Sequence, residues 1–269
     1  MNLHLHIDPF SGIAGDMFLG ALIDLGLDLN ELVAILAGIP ASNQFTITAE
    51  KVLRTGITAT DLQVLVNKGH TQHHHDHGHA HHHHSHTRFS DIMHMIDHLS
   101  TTDRGKARAR QIVQLLAEAE AKIHGLAVDD IHFHEVGAID SIVDMLGAAV
   151  ALELLGIESI SSGPLPLSRG LVNCAHGTMP VPAPATMLLC KDLPVFGVDR
   201  TGELVTPTGA AIVKALCEQF GPPPPMIIRH IGYGAGDRQN EEKVPNVLRL
   251  ILGEKISPGD MGPLSTTNV

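Results

Sequence analysis

Leu3-His4-Leu5-His6-Ile7-Asp8-Pro9-Phe10-Ser11-Gly12-Ile13-Ala14-Gly15-Asp16 is the stretch whose reading decides the fold. Leu3, Leu5 and Ile7 alternate with His4, His6 and Asp8, the period of a strand. Phe10 to Asp16 is a glycine-bearing turn, and Met17 to Leu25 reads as a helix that Gly26 stops. Strand, turn and helix in that order are the working unit of an α/β fold. A second helix is expected from Asn30 to Ala37, before Gly38 and Pro40. Phe45 to Leu53 and Thr58 to Val66, split by Arg54-Thr55-Gly56, predict a hairpin or two neighbouring strands. Ile112, Leu115, Leu116, Ala119 and Ile123 form an apolar stripe at helical spacing. Asp140 to Leu155 is apolar nearly all round, hence a buried helix, with Gly156 as its stop. Shorter pieces then alternate: Ile157 to Ser161, Ala183 to Leu189, Leu193 to Val198, Thr208 to Phe220, Met226 to Ile231 and Val247 to Leu252. The expected class is α/β, a mixed sheet with flanking helices.

Of the 269 residues 43% are hydrophobic but only 3% aromatic, with no Trp, so the core must be aliphatic. That composition argues against readers of single-stranded nucleic acid, which stack bases on exposed aromatic rings. A formal net charge of -11 argues against a general polyanion binder, so no nucleic-acid partner is expected. No uncharged apolar run reaches the ~18 residues of a membrane span, and no basic, apolar leader is visible. Cys174, Cys190 and Cys217 form no Cys-x-x-Cys site, and a sparse odd set fits a reducing, cytoplasmic setting. Self-association is left open.

Lys68 to Arg88 differs in kind. It holds 11 of the 20 histidines: His70, His73, His74, His75, His77, His79, His81, His82, His83, His84 and His86. With almost nothing apolar to bury, 68–88 is expected to be a disordered loop. Neutral imidazoles suit Ni, Cu and Zn, and composition does not choose among them.

Five constellations could carry chemistry. In the first, His132 to Asp144, an extended backbone puts His132 and His134 on one side and Glu135 on the other. Asp140 and Asp144 share a helix face; Asp140 alone is an ordinary N-cap, but Asp144 sits in an apolar helix, where an unpaired carboxylate is costly. Imidazole with carboxylate suits a transition metal or an Mg/Mn-type ion, which makes His132, His134, Glu135, Asp140 and Asp144 candidate ligands. The plainer reading is a buried polar network that pins a connector.

In the second, Asp8 stands at the C-terminal end of a strand, the usual ligand side of α/β folds, and Ser11 to Gly15 could offer backbone N–H groups to an anion. No Gly-Lys-Ser/Thr follows, so it is not a P-loop. His4 and His6 read as polar positions on a half-exposed strand. The third, Arg169 to Ala185, is a rigid Pro/Gly-shaped loop in which the Cys174 and His176 spacing is read as coincidence. The fourth, Thr206-Pro207-Thr208-Gly209, is a helix start that either simply caps or also holds a phosphate or carboxylate. The fifth, Gly232-Tyr233-Gly234-Ala235-Gly236-Asp237-Arg238, lacks the following helix of a dinucleotide site and is expected to be a flexible ligand-covering loop, with Arg238 available to an anion.

These motifs in this order resemble the LarC-type nickel-insertion proteins of lactate racemase maturation. The matching segments are Asp8 to Ala21, His132 to Asp144, Gly177 to Ala185, Glu203 to Ala211 and Gly232 to Gly236, and the His-rich insert fits as well. The resemblance implies a nickel chelatase of the lyase class. Its substrate would be pyridinium-3,5-bisthiocarboxylic acid mononucleotide, its product the nickel-pincer nucleotide cofactor of lactate racemase, with CTP and Mn(II) or Mg(II) required. It also implies a C-terminal CTP-binding domain, expected to be missing from this chain because it is carried by a separate or frameshifted product or because the chain is truncated. The nickel-insertion domain is then expected over 1–255, with 256–269 as a flexible tail. Forming a nickel–carbon bond releases a ring proton, for which Asp8, Asp16 and Asp144 are the candidate bases. Ser11, Gly12, Gly15, Thr206, Thr208, Gly209, Gly232, Gly234 and Gly236 are the candidates to hold the mononucleotide. Two rival readings stand beside this one. A nickel store or metallochaperone would need only the tract, and a metal-dependent phosphohydrolase would need carboxylates and glycine loops.

Overall fold

The computed structural model describes residues 3–67, 87–133, 138–174, 177–237 and 244–256. The chain begins with β1 (Leu3–Asp8), α1 (Gly15–Asp24) and α2 (Leu29–Leu36), followed by β2 (Phe45–Arg54) and β3 (Ile57–Val66). Next come β4 (Thr87–Arg88), α3 (Phe89–Asp97), α4 (Asp103–His124), β5 (His132–Phe133) and α5 (Ile139–Leu154). They are followed by β6 (Ile157–Ser162), β7 (Leu165–Arg169), β8 (Leu171–Cys174), β9 (Gly177–Pro180) and α6 (Pro184–Leu189). The remaining elements are β10 (Val195–Thr201), α7 (Pro207–Leu216), β11 (Gln219–Phe220), β12 (Met226–Ala235) and β13 (Val247–Lys255). The expected α/β class holds: seven strands make one mixed sheet, in the order β11-β6-β1-β13-β12-β3-β2. β1 lies inside it, parallel to β6 and antiparallel to β13.

Local chemistry explains the boundaries. β2 and β3 pair as the expected hairpin, closed by Thr55 and Gly56 at φ 48° and 85°. Two positive φ values match the right-handed twist of the strands. α4 starts where the Thr102 hydroxyl accepts from the Gly105 N–H and ends at Gly125 in the left-handed conformation. Its apolar stripe is packed as far as Ala119, while Ile123 at the end is 40% exposed. α5 is buried from Ile142 to Leu152, as its all-round apolar sequence requires.

α1 lies unusually close to the sheet. A Cβ at Gly234 would stand 1.8 Å from the Met17 carbonyl oxygen, and one at Gly232 would stand 2.3 Å from that of Ala21. The expectation of a flexible ligand-covering loop is thereby corrected. Gly232 to Ala235 continue β12, and Gly232 and Gly234 face α1 rather than a ligand, because only a bare Cα fits the gap. Asp24 fastens the other end of α1. Its carboxylate accepts from the Tyr233 N–H at 2.7 Å and the Thr60 hydroxyl at 3.1 Å, and it pairs with Lys51.

His4 and His6 require a second correction. They are 0% and 2% exposed, not half-exposed. The rings of β1 meet the serines of β6: His4 Nδ1 lies 2.8 Å from Ser159 Oγ, His4 Nε2 2.8 Å from Ser161 Oγ, and His6 Nδ1 2.9 Å from Ser161 Oγ. Burial first, then the charge of Lys255, lowers the His4 pKa to about 4, and burial lowers that of His6 too. Both are therefore neutral partners inside a hydrogen-bonded ladder.

Candidate functional site

The first turns of α1, α5 and α7 converge on one cleft of about 360 Å³. α1 contributes Gly15 and Asp16, with Ala14 before them; α5 contributes Ser141 and Asp144; α7 contributes Pro207 and Thr208, with its cap Thr206. Val172, Asn173 and Met179 of the β8–β9 hairpin, with Ala183 and Glu203, complete the lining. Helix N-termini carry unsatisfied N–H groups and partial positive charge, so their convergence favours an anion. α7 is capped from within, because the Thr206 hydroxyl accepts from the Gly209 N–H at 3.1 Å and lies 2.9 Å from the Thr208 hydroxyl. The N-caps of α1 and α5, Ala14 and Ala138, have no side chain that can cap.

Asp144 takes over at α1. A Cβ on Gly15 would lie 2.6 Å from Asp144 Oδ2, so the absence of a side chain there lets the carboxylate reach the start of α1. Burial first, then the charges of Asp16 and Asp140, hold the Asp144 carboxyl well above the ordinary carboxylate range; the Asp16 N–H pulls the other way. Among the described residues its Oδ1 is buried without a hydrogen-bond partner. Burial likewise pushes the Asp16 pKa up to about 6, against a hydrogen bond from the Met17 N–H at 2.7 Å and with Asp237 and Asp61 adding to the rise. Asp16, raised to about 6, can take up and release a proton close to neutral pH, and Asp144 beside it is shifted in the same direction.

A second cleft of about 400 Å³ shares Asp16, Ser141 and Asp144 with the first and adds Asp140, Asp237 and Leu62 to Leu65 of β3. Asp140 is not the N-cap of α5, which is Ala138; its carboxylate accepts from the Ser141 N–H at 2.7 Å. Asp61, next to Leu62 in β3 and 4% exposed, has one oxygen toward Arg54 at 3.2 Å and, among the described residues, no partner for Oδ1.

The remaining sequence candidates separate. Asp8 lines neither cleft. It accepts from Arg249 Nε at 2.8 Å and also from Nη2, on the sheet face of His4 and His6, so a role as base does not fit its placement. The expected anion-binding turn is corrected as well. The Gly12 N–H donates to the Pro9 carbonyl and the Ile13 N–H to that of Leu204, while Ser11 Oγ meets Arg200 at 3.2 Å. Gly12 and Gly209 serve close packing: a Cβ would stand 2.1 Å from the Leu204 carbonyl oxygen and 2.3 Å from that of Ile13. Gly236 abuts the Asn246 side chain. Of the predicted ligands, Asp140 and Asp144 come together, whereas His134, Glu135, the side chain of His132 and the tract histidines His73 to His86 lie outside the described residues. Among the described residues, no group of three His, Cys, Asp or Glu side chains is assembled to hold a metal ion. Sequence reading did not single out Asp61, Asp237, Asn173 or Glu203. Asp237, Asn173 and Glu203 lie inside segments quoted for other residues, and Asp61 is a lone charge within a β-branched strand.

Such a cleft, with helix ends for an anion and paired carboxyls beside them, suits a small charged ligand. The chain belongs to the nickel insertion protein family, whose model matches residues 5–268. It is 48% identical over 252 residues to a relative from Geotalea daltonii named for nickel insertion, covering 93% of this chain and 60% of the relative. It is 44% identical over 249 residues to the pyridinium-3,5-bisthiocarboxylic acid mononucleotide nickel insertion protein of Desulfitobacterium hafniense, covering 93% and 58%. The protein of that name from Geobacillus kaustophilus is 45% identical over 265 residues, covering 96% and 62%. The chain thus spans about 60% of the length of the curated relatives it matches. No solved structure matches it. Among the described residues, no helix is long and apolar enough to cross a membrane.

Proposed function

We propose that this chain is the substrate- and nickel-handling part of a cytoplasmic nickel chelatase. Its substrates would be Ni(II) and pyridinium-3,5-bisthiocarboxylic acid mononucleotide, and its product the nickel-pincer nucleotide cofactor of lactate racemase. The supporting observation is the meeting of Asp16 and Asp144 with three helix N-termini in one cleft. The helix ends suit the mononucleotide phosphate. Nickel, as substrate, bonds to both thiocarboxylate sulfurs and to the ring carbon between them. The ring C–H bond breaks, its electron pair goes to the metal–carbon bond, and its proton goes to the Asp16–Asp144 pair. No oxidant or reductant is needed. CTP with Mn(II) or Mg(II), which the resemblance implies, is not matched by the described cleft, whose lining has carboxylates but no Lys or Arg. No step is assigned to it here, and a CTP-binding domain on another product remains part of the proposal.

The test is cofactor formation in vitro from this chain, Ni(II), CTP, Mn(II) and the substrate, with and without a separately produced C-terminal domain, read as lactate racemase activation. Activation that depends on this chain is expected. No activation under either condition, with tight nickel binding that vanishes when 68–88 is deleted, would establish the storage reading instead.

A further inference from the structure

The β8–β9 hairpin is set apart from the main sheet. Its two strands pair only with each other. It is closed at its base, where the Val181 N–H donates to the Gly170 carbonyl at 2.9 Å. A lone pair of strands is marginal in water and gains from whatever its side chains pack against. Leu171, Asn173, Thr178 and Pro180 are exposed, whereas Val172 and Met179 are half-buried. Those two are direct cross-strand partners, so their side chains leave the ribbon on the same face. Both line the cleft of Asp16 and Asp144, and neither belongs to the hydrophobic core. Leu171, 71% exposed, is outside that lining.

We propose that Val172 and Met179 form the wall on which the flat ring of the ligand rests, and that this wall selects a heteroaromatic mononucleotide over a plain sugar phosphate. The helix starts supply the cleft with N–H groups, hydroxyls and carboxyls, which recognise phosphate and protons but offer no flat apolar surface. Among the described residues no Phe, Tyr, Trp or His is in the lining, so a ring finds no aromatic partner there. The two largest apolar side chains in the lining are Val172 and Met179. Ligand sites pair such apolar surface with a few placed polar groups. A methionine thioether adapts its shape and gains from contact with an aromatic ring. The nickel insertion reading, on which this inference rests, supplies the identity of the ring as pyridinium. The phosphate then lies at the helix ends and the ring face on the hairpin, which leaves the ring edge, with its C–H, for the Asp16–Asp144 pair. Helix ends accept any phosphate monoester; the hairpin distinguishes one that carries a ring.

The probes are pyridinium-3,5-bisthiocarboxylic acid mononucleotide and ribose 5-phosphate, each titrated into the full chain without nickel. Calorimetry follows the first, and phosphorus resonance the weaker second. Met179→Ala and Val172→Ala should each weaken mononucleotide binding on the order of tenfold, the usual effect of one lost apolar contact in a pocket, and leave ribose 5-phosphate unchanged. Met179→Leu, which keeps the bulk, should retain most of the affinity. Leu171→Ala, in the same strand but outside the lining, should bind both probes as the parent does. All four variants lie outside the core and should fold, which a circular dichroism spectrum checks. Equal losses for both probes, an equal loss in Leu171→Ala, or unchanged mononucleotide affinity in both lining variants overturns the ring wall. The expected pattern in a chain that never activates lactate racemase would overturn the insertion reading and leave the wall standing. Unchanged affinity in variants of a chain that does activate it would do the reverse, and a parent chain that binds no mononucleotide would overturn both.

Discussion

Two pairs of polar side chains, all partly or fully withdrawn from water, sit in the same apolar molecule and are treated in opposite ways. His4 and His6, inside the sheet, have hydroxyl partners within 2.9 Å from Ser159 and Ser161. Asp16 and Asp144, at the helix ends, line a cleft, and among the described residues one Asp144 oxygen has no partner. A buried polar group that has its partners serves the fold, and one left without them calls for an explanation of its own. The difference sets the two networks apart more cleanly than residue type does, since histidine is the commoner metal ligand and here both histidines are spent on the fold.

The sharpest way to break this contrast is Asp144→Ala. The insertion rate should fall on the order of 10²–10⁴-fold if the carboxyl handles the proton. The unfolding free energy should stay within about 1 kcal/mol, because the truncation removes an unsatisfied buried group along with its contacts. Single-turnover insertion and urea denaturation measure the two; a large stability loss with a normal rate would make Asp144 structural. Ser161→Ala is the mirror experiment. It strips one partner from each imidazole and should cost about 1–3 kcal/mol in urea, with the insertion rate per folded molecule unchanged.

The response to pH should divide the two regions by sign. His4 is held at about 4 in the fold against 6.5 unfolded, so its contribution is complete above 6.5 and is lost as pH falls toward 4. Asp16 is raised to about 6 against 3.8, so its contribution is complete below 3.8 and is lost as pH rises through 6. Each limb has a slope of at most about 1.4 kcal/mol per pH unit. Relative to the parent chain, stability should rise from pH 4.5 to 6.5 in Asp16→Asn and fall over the same range in His4→Gln. Denaturation midpoints that leave both slopes as in the parent chain would sink the assignment. The smallest effect is expected at Thr206→Ala, about 1 kcal/mol in thermal unfolding, for the loss of an ordinary cap.

Much of the architecture was legible because the patterns are local. The alternation of β1, the hairpin turn at Thr55-Gly56 and the all-apolar α5 each announce themselves within a dozen residues. What lies on the second face of β1 is not a local matter. The partners of His4 are 155 and 157 positions away, and nothing near residue 4 encodes them. The same holds for the glycines of β12, which look like a loop until α1 is laid across them. Asp144 could be suspected from its helix alone, as a charge where only apolar neighbours stand. Its pairing with Asp16, and the wall contributed by Asn173 and Glu203, could not, because four separate segments build the cleft.

The fastening of α1 has a thermal consequence. Gly232 and Gly234 hold its body against β12 at backbone distance, and Asp24 ties its far end to three strands. A helix bound in this way has no low-energy opening of its own, so its amides should exchange with solvent only when the whole domain unfolds. Asp16 rides on that helix. On warming, the carboxyl pair and the sheet should therefore be lost in a single cooperative step, without a stage in which the fold survives and the pair has drifted apart.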